Sequence, residues 1–245
     1  MTLRTLPELV LAVCLFLGNE AQSQTGIYAV ARPLHDITID GDLDDWPDGL
    51  TSYPVRLLAN SEWSSLAGED LDLSDDLSPS FRLGWEPDEG LLFIALAVTD
   101  DSLALGDDGD RCEIYLANPS GGEPTWVISS QGESPKLVRG IKGPLDHLLG
   151  RQAFNESGWN VGQQTVGEVT VYEVAIPLAD LLTEANSVRE GWWLRWDVVV
   201  IDVDDNPPGS QVWWSAGHPK DRSGASLGWV LLSRGEADLA AIRTT

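Results

Sequence analysis

Apolar residues recur at every second position in short runs along this chain. In Phe81-Arg82-Leu83-Gly84-Trp85 they fall on one parity, the spacing of a half-buried strand. Leu91-Leu92-Phe93-Ile94-Ala95-Leu96-Ala97-Val98 is apolar on both parities, which predicts a central strand covered on both faces. The same reading gives strands over Ile37–Ile39, Tyr53–Leu58, Ser80–Trp85, Leu91–Thr99, Arg111–Ala117, Thr125–Ser130, Lys136–Ile141, Glu168–Ile176, Trp192–Val203, Gln211–Ser215 and Leu227–Leu232. Turn-forming clusters such as Glu86-Pro87-Asp88-Glu89-Gly90 separate them. Helical signals are scarce. Pro177 precedes a short helix over Leu178–Ala185, with proline at the favoured first position, and Pro144–Leu149 gives a further helical turn. Many short strands and little helix predict an all-β fold, an antiparallel β-sandwich forming one domain over residues 33–234, followed by a tail at 235–245.

The first residues read as an address. Arg4 gives a positive start, Leu9–Leu17 is an unbroken apolar run, and Ala21-Gln22-Ser23 offers a small-residue cleavage site. Residues 1–23 therefore predict a bacterial signal peptide and a secreted or periplasmic mature protein. That run is shorter than the roughly 20 apolar residues a membrane-spanning helix needs, and no later stretch is longer, so no membrane span is expected. Removal of the leader takes Cys14 with it. Cys112 then has no disulfide partner and no companion for a thiolate zinc site, and a lone thiol of this kind usually packs as a small hydrophobe.

Charge narrows the ligands. The 245 residues carry a formal net charge of −24, so phosphate backbones and anionic lipid are repelled and no nucleic-acid partner is expected. Neutral ligands and cations remain. Three aspartate clusters, Asp40-Gly41-Asp42-Leu43-Asp44-Asp45, Asp107-Asp108-Gly109-Asp110 and Asp202-Val203-Asp204-Asp205-Asn206, stand at strand ends. Hard oxygen ligands at alternate positions suit calcium, with Asp40, Asp42, Asp202 and Asp204 as candidate ligands and solvated turns as the alternative. His35, His147 and His218 share no metal-ligand spacing, so zinc is not expected. Gly224-Ala225-Ser226-Leu227-Gly228 has the form of a nucleophile elbow but follows no apolar strand, precedes no helix and is followed by no histidine, so it reads as a turn. With 39 acids some glycosidase-like carboxylate pair is inevitable, and its presence carries no signal. No catalytic residue is assigned.

Eleven tryptophans stand out. Trp46, Trp85, Trp192, Trp193, Trp196, Trp213, Trp214 and Trp229 lie in or beside strands and are expected to fill a core. Trp63, Trp126 and Trp159 have polar neighbours and are candidates for exposed platforms. The C–H face of a sugar ring packs on an indole while its hydroxyls bond nearby carboxylates, and a neutral sugar tolerates an acidic protein.

Several of these segments, in order, resemble the family 9 carbohydrate-binding modules found on xylanases, within the wider DOMON-like sandwich group. They are Ile39-Asp40-Gly41-Asp42-Leu43-Asp44-Asp45-Trp46, Gly84-Trp85 leading through Leu92–Val98 to Thr99-Asp100-Asp101, Asp110-Arg111-Cys112-Glu113-Ile114-Tyr115-Leu116, Tyr172-Glu173-Val174-Ala175-Ile176-Pro177, and Val199-Val200-Ile201-Asp202-Val203-Asp204 with Trp214 and Leu227-Gly228-Trp229. The resemblance implies a β-sandwich, calcium as a structural ion, and non-catalytic binding of sugar chain ends. Carried over, Asp110 and Glu113 match the family's D-x-x-E-I, whose glutamate bonds sugar hydroxyls. The family's two sugar-holding tryptophans are not matched: this chain has Asp107-Asp108-Gly109 at one position and His218-Pro219-Lys220-Asp221-Arg222 at the other. Trp126, on the strand after Glu113, is the substitute wall expected from spacing, with Lys220 contributed by the second loop. The wider group also includes heme proteins with a methionine ligand. Met1 is the sole methionine and lies in the leader, so no heme is expected. The alternative function is a sandwich that has lost sugar binding and meets an envelope protein as partner.

Overall fold

The computed structural model describes residues 28–58, 77–102, 104, 109–117, 125–130, 136–141, 152–153, 160–181, 190–203, 210–216 and 224–233, with backbone alone for the strands at 125–130, 136–141 and 152–153. These residues form strands β1 (Tyr28–Pro33), β2 (Tyr53–Pro54), β3 (Leu57–Leu58), β4 (Leu77–Glu86), β5 (Leu91–Asp100), β6 (Arg111–Ala117), β7 (Thr125–Ser130), β8 (Lys136–Ile141), β9 (Gln152–Ala153), β10 (Asn160–Val166), β11 (Val169–Pro177), β12 (Trp192–Ile201), β13 (Gln211–Trp213) and β14 (Gly228–Leu232). Among the described residues helix is confined to 3-10 turns at Leu178–Leu181, where Pro177 ends its strand, and at Gly224–Ser226, so the elbow-like sequence is indeed a turn. The expected helical turn at 144–149 lies outside the described residues.

The fold is all-β. One path of neighbours runs β10-β11-β5-β4-β1-β14-β12-β6-β7-β8-β9. It curls at β1, which pairs with β14 from Tyr28 to Ala31 and then with β4 through Arg32 and Pro33. The half from β10 to β4 is sheet 1; the half from β14 to β9, joined by β13 and β3, is sheet 2. β1 runs parallel to both neighbours, whereas the remaining pairs are antiparallel. The sandwich is therefore mixed where a purely antiparallel one was expected. β1 is also absent from the expected strands, because Tyr-Ala-Val-Ala-Arg-Pro is short, ends in proline and takes its parallel partner from the far end of the chain.

Between the sheets the even residues of β5 (Leu92, Ile94, Leu96, Val98) meet Cys112, Ile114 and Leu116 of β6 and Trp196, Val198 and Val200 of β12 in one cluster. Phe81 anchors it, with Tyr53 stacked at 5.3 Å and Trp214 edge-on at 5.2 Å. Trp85 ties the layers by donating its indole N–H to the Ser233 carbonyl at 3.0 Å. Burial pushes the Cys112 thiol well up, so it packs as a hydrophobe.

The odd residues of β5 face the other way. Phe93 and Ala95, with Ala175, are covered by Leu34 and Trp46 and by the partly buried Ile37, Ile39 and Leu43. Both faces of β5 are thus covered, as its sequence predicts. The covering segment, 34–50, is irregular: Ile37–Ile39 forms no strand, and its apolar residues serve as a lid over sheet 1. Of the eight tryptophans expected in cores, Trp46, Trp85, Trp196, Trp213 and Trp214 are buried, whereas Trp192, Trp193 and Trp229 are only half-buried.

Candidate functional site

Strand alternation places Glu113 and Tyr115 of β6 on the outer face of sheet 2, away from the inter-sheet core that takes Cys112, Ile114 and Leu116. Glu113 is 3% exposed. Its carboxylate accepts the Tyr115 hydroxyl at 2.5 Å and the Arg111 Nε–H at 3.2 Å, so both oxygens are held. Pairing sets Glu113 beside Val199 of β12 and Ile128 of β7, and Tyr115 beside Trp126. Position 126 therefore lies on the same side of the sheet as positions 113 and 115. Tyr115, Val199, Trp213 and Leu227 form an apolar cluster on this face. Lys220, like Trp63 and Trp159, lies outside the described residues.

Asp110 goes elsewhere. It precedes β6, Asp202 follows β12, and the pairing of Arg111 with Ile201 brings the two strand ends together. Asp100 closes β5 on the opposite sheet. One carboxylate oxygen from each of Asp100, Asp110 and Asp202 lies within 4.8 Å of the others, and all three residues are buried. Asp110 accepts the Ala104 and Val203 amides, each at 2.7 Å, which fixes both of its oxygens, and Asp100 accepts the Ser102 amide at 2.8 Å. Three buried hard-oxygen donors fit calcium by donor chemistry. Asp202 was a candidate ligand from sequence; Asp100 was not, because its partners are contributed by two other strand ends. Asp204 lies outside the described residues.

Burial, opposed by the Ser102 amide and reinforced by the Asp110 charge, raises the Asp100 pKa from 3.8 to about 6. An acid with a folded pKa above its unfolded value binds its proton more tightly when folded. The chelator-treated protein is therefore expected to lose stability as pH rises from about 4 to about 6, with the slope removed in Asp100→Asn. Melting curves across that window check this; an equal slope in the variant would assign it to other carboxylates.

Asp40 and Asp42 stand apart from this group. They are exposed, and each accepts the amide two residues on: Asp42 N–H to Asp40 at 2.9 Å and Asp44 N–H to Asp42 at 3.1 Å. What anchors their loop is Glu173 of β11, fully buried, which accepts the Asp40 amide at 2.9 Å, the Gly41 amide at 2.6 Å and the Trp46 indole N–H at 2.5 Å. Gly41 has φ +90°, and a Cβ there would lie 2.4 Å from the Gln164 nitrogen of β10. The D-G-D-L-D-D-W segment is therefore a clasp over sheet 1.

The strand arrangement, two sheets joined at β1, matches a known architecture over most of the chain. The fold is that of a family 9 carbohydrate-binding module. A module of this family from Caldicellulosiruptor kristjanssonii, solved with cellotriose, shares 12% identity over 86% of this chain and 96% of that one, with a TM-score of 0.59. The structure of a family 9 module from the same organism with glucose gives 12% identity, 86% and 98% coverage and a TM-score of 0.60. No family model matches the sequence, and no curated protein does. At such identity the module likeness is one of fold. Among the described residues no helix is long and apolar enough to cross a membrane.

Proposed function

We propose that this protein is an exported, non-catalytic carbohydrate-binding protein that holds neutral sugar chains or their ends on the outer face of sheet 2, beside Glu113. The observation that supports this most is the module fold, shared along most of the chain with domains solved around cellotriose and glucose. Glu113 suits the role because Arg111 and Tyr115 orient its carboxylate as a charged acceptor, and position 126 pairs with Tyr115 on the neighbouring strand. A net charge of −24 disfavours acidic glycans. Calcium held by Asp100, Asp110 and Asp202 would pin the ends of three strands from both sheets and supply structural charge neutralisation.

Calorimetry of the mature protein with cellotriose tests the reading. Glu113→Ala removes a charged acceptor, for which about 1.5–3 kcal/mol is typical, so affinity is expected to fall about 10- to 150-fold with the melting temperature monitored alongside. No reducing ends are expected from plant or bacterial polysaccharides. Absence of binding across a glycan array would instead favour an envelope protein as the partner.

A further inference from the structure

The outer face of sheet 2 has two ends. At the Glu113 end, Tyr115 and Trp213 are buried. At the other end the face opens: Tyr28 is 42% exposed, and Trp193, Arg195 and Trp229 are half-buried. Register puts these side chains together. Tyr28 of β1 pairs with Trp229 of β14, and Trp229 pairs with Arg195 of β12, two residues from Trp193. Trp193 meets Tyr28 at 5.9 Å and 71° and Trp229 at 6.0 Å and 84°. Edge-to-face contact hides one ring face per pair where parallel stacking would hide two, so ring surface stays available. The Arg195 guanidinium carbon lies 3.5 Å from the Trp229 ring centroid, and its Nη1–H donates to the Leu227 carbonyl at 3.1 Å, which fixes the ring and guanidinium together.

We propose that Tyr28, Trp193 and Trp229, braced by Arg195, form a second carbohydrate-contact surface that takes the C–H face of a neutral sugar ring within a longer glycan chain. The proposal rests on the reading of the protein as carbohydrate-binding, but on residues separate from Glu113. Size favours a sugar over a protein. Three aromatic side chains of at most about 250 Å2 each, less than half exposed, offer far less than the roughly 800 Å2 per partner of a stable protein interface. Val30 and Leu231 beneath them are already buried, so the rings themselves are the available apolar surface. Charge selects a neutral glycan, because a single stacked arginine does not offset a net charge of −24 against a polyanion. Distance selects a long one. Glu113 and Ala117, which pairs with Arg195, are four residues apart on β6, on the order of 13 Å at strand rise, so one chain lying along the strands reaches both ends.

The test compares the mature protein with Trp193→Ala, Tyr28→Ala, Trp193→Phe and Glu113→Gln, using cellotriose and hydroxyethylcellulose as probes. Trp193→Ala and Tyr28→Ala are expected to weaken hydroxyethylcellulose binding about five- to tenfold, leave cellotriose unchanged, and be largely restored in Trp193→Phe. Glu113→Gln is expected to weaken both probes. Tyr28 stands at an exposed strand start, so its variant reports even where Trp193→Ala folds poorly. Unchanged hydroxyethylcellulose affinity in Tyr28→Ala and in folded Trp193→Ala, with loss in Glu113→Gln, overturns the second surface and leaves the first reading standing. Loss in the aromatic variants with Glu113→Gln silent supports the surface and removes Glu113. A wild-type protein that binds neither probe overturns both. Sedimentation showing a dimer dispersed by Tyr28→Ala, with glycan binding intact, makes the patch a contact between copies and overturns the proposal.

Discussion

Glu173→Ala is expected to lower the unfolding free energy by about 3 kcal/mol or more, which for a domain of this size lowers the melting temperature by roughly 6–12 °C. The carboxylate is fully buried and accepts from two backbone amides and one indole. Its removal leaves the Gly41 amide and the Trp46 indole N–H buried without an acceptor, at about 1–3 kcal/mol each, and frees the part-buried Asp40 amide. The effect spreads through the lid. Trp46, Leu34 and their neighbours cover Phe93 and Ala95 only while the loop stays clasped, with Gly41 lying close against β10. Burial already raises the Glu173 pKa, and the three donors oppose that shift, so the carboxylate is held by those bonds and not by solvent. Glu173→Gln keeps an acceptor oxygen but turns an amide NH2 toward existing donors, and should lie between wild type and alanine. Urea and thermal unfolding measure the change. A loss below about 1 kcal/mol for Glu173→Ala would mean that water replaces the carboxylate without opening the lid.

Calcium is expected to have the second large effect, on stability. A ligand that binds the folded state alone stabilises it by about 2.7 kcal/mol at a hundredfold excess over its Kd, a rise of roughly 5–10 °C in melting temperature. Asp100, Asp110 and Asp202 converge from β5 and from the adjoining ends of β6 and β12, so a cation there links both sheets and relieves repulsion between buried acids. Magnesium, which demands compact octahedral geometry and gives up water reluctantly, should do less. Asp202→Asn should shrink the calcium response, while Asp42→Asn, in an exposed turn, should leave it unchanged. If the melting curve ignores millimolar calcium and chelator alike, the three acids are a strained corner of the apo fold and hold no ion.

Local alternation was sufficient for most of the strands. β5, apolar on both parities, was legible as a central strand, and Phe81, Leu83 and Trp85 all face the inter-sheet core as their spacing requires. β10 escaped notice because Asn160-Val161-Gly162-Gln163-Gln164-Thr165-Val166 is an edge strand, mostly polar, whose identity comes from its pairing with β11. Ile37 and Ile39 alternate like a strand yet pair with nothing, because alternation reports which side chains are buried and not whether the backbone joins a ladder.

The sequence by itself determined that the chain is all-β, that β5 is covered twice, and that the D-x-x-E-I strand carries a glutamate one position out of phase with its core residues. These follow from a two-residue period that any strand must obey, whatever its partners. Tertiary structure decided the rest. Only pairing across the whole chain joins β1 to β14 and β4, brings Asp100 to Asp110 and Asp202, and sets Tyr28, Trp193 and Trp229 side by side on an open face. Trp193 and Trp229 occupy strand positions as regular as those of Trp196, and nothing local distinguishes them. Which face of a sheet becomes core is fixed by what packs upon it, and that is a property of elements far apart in sequence.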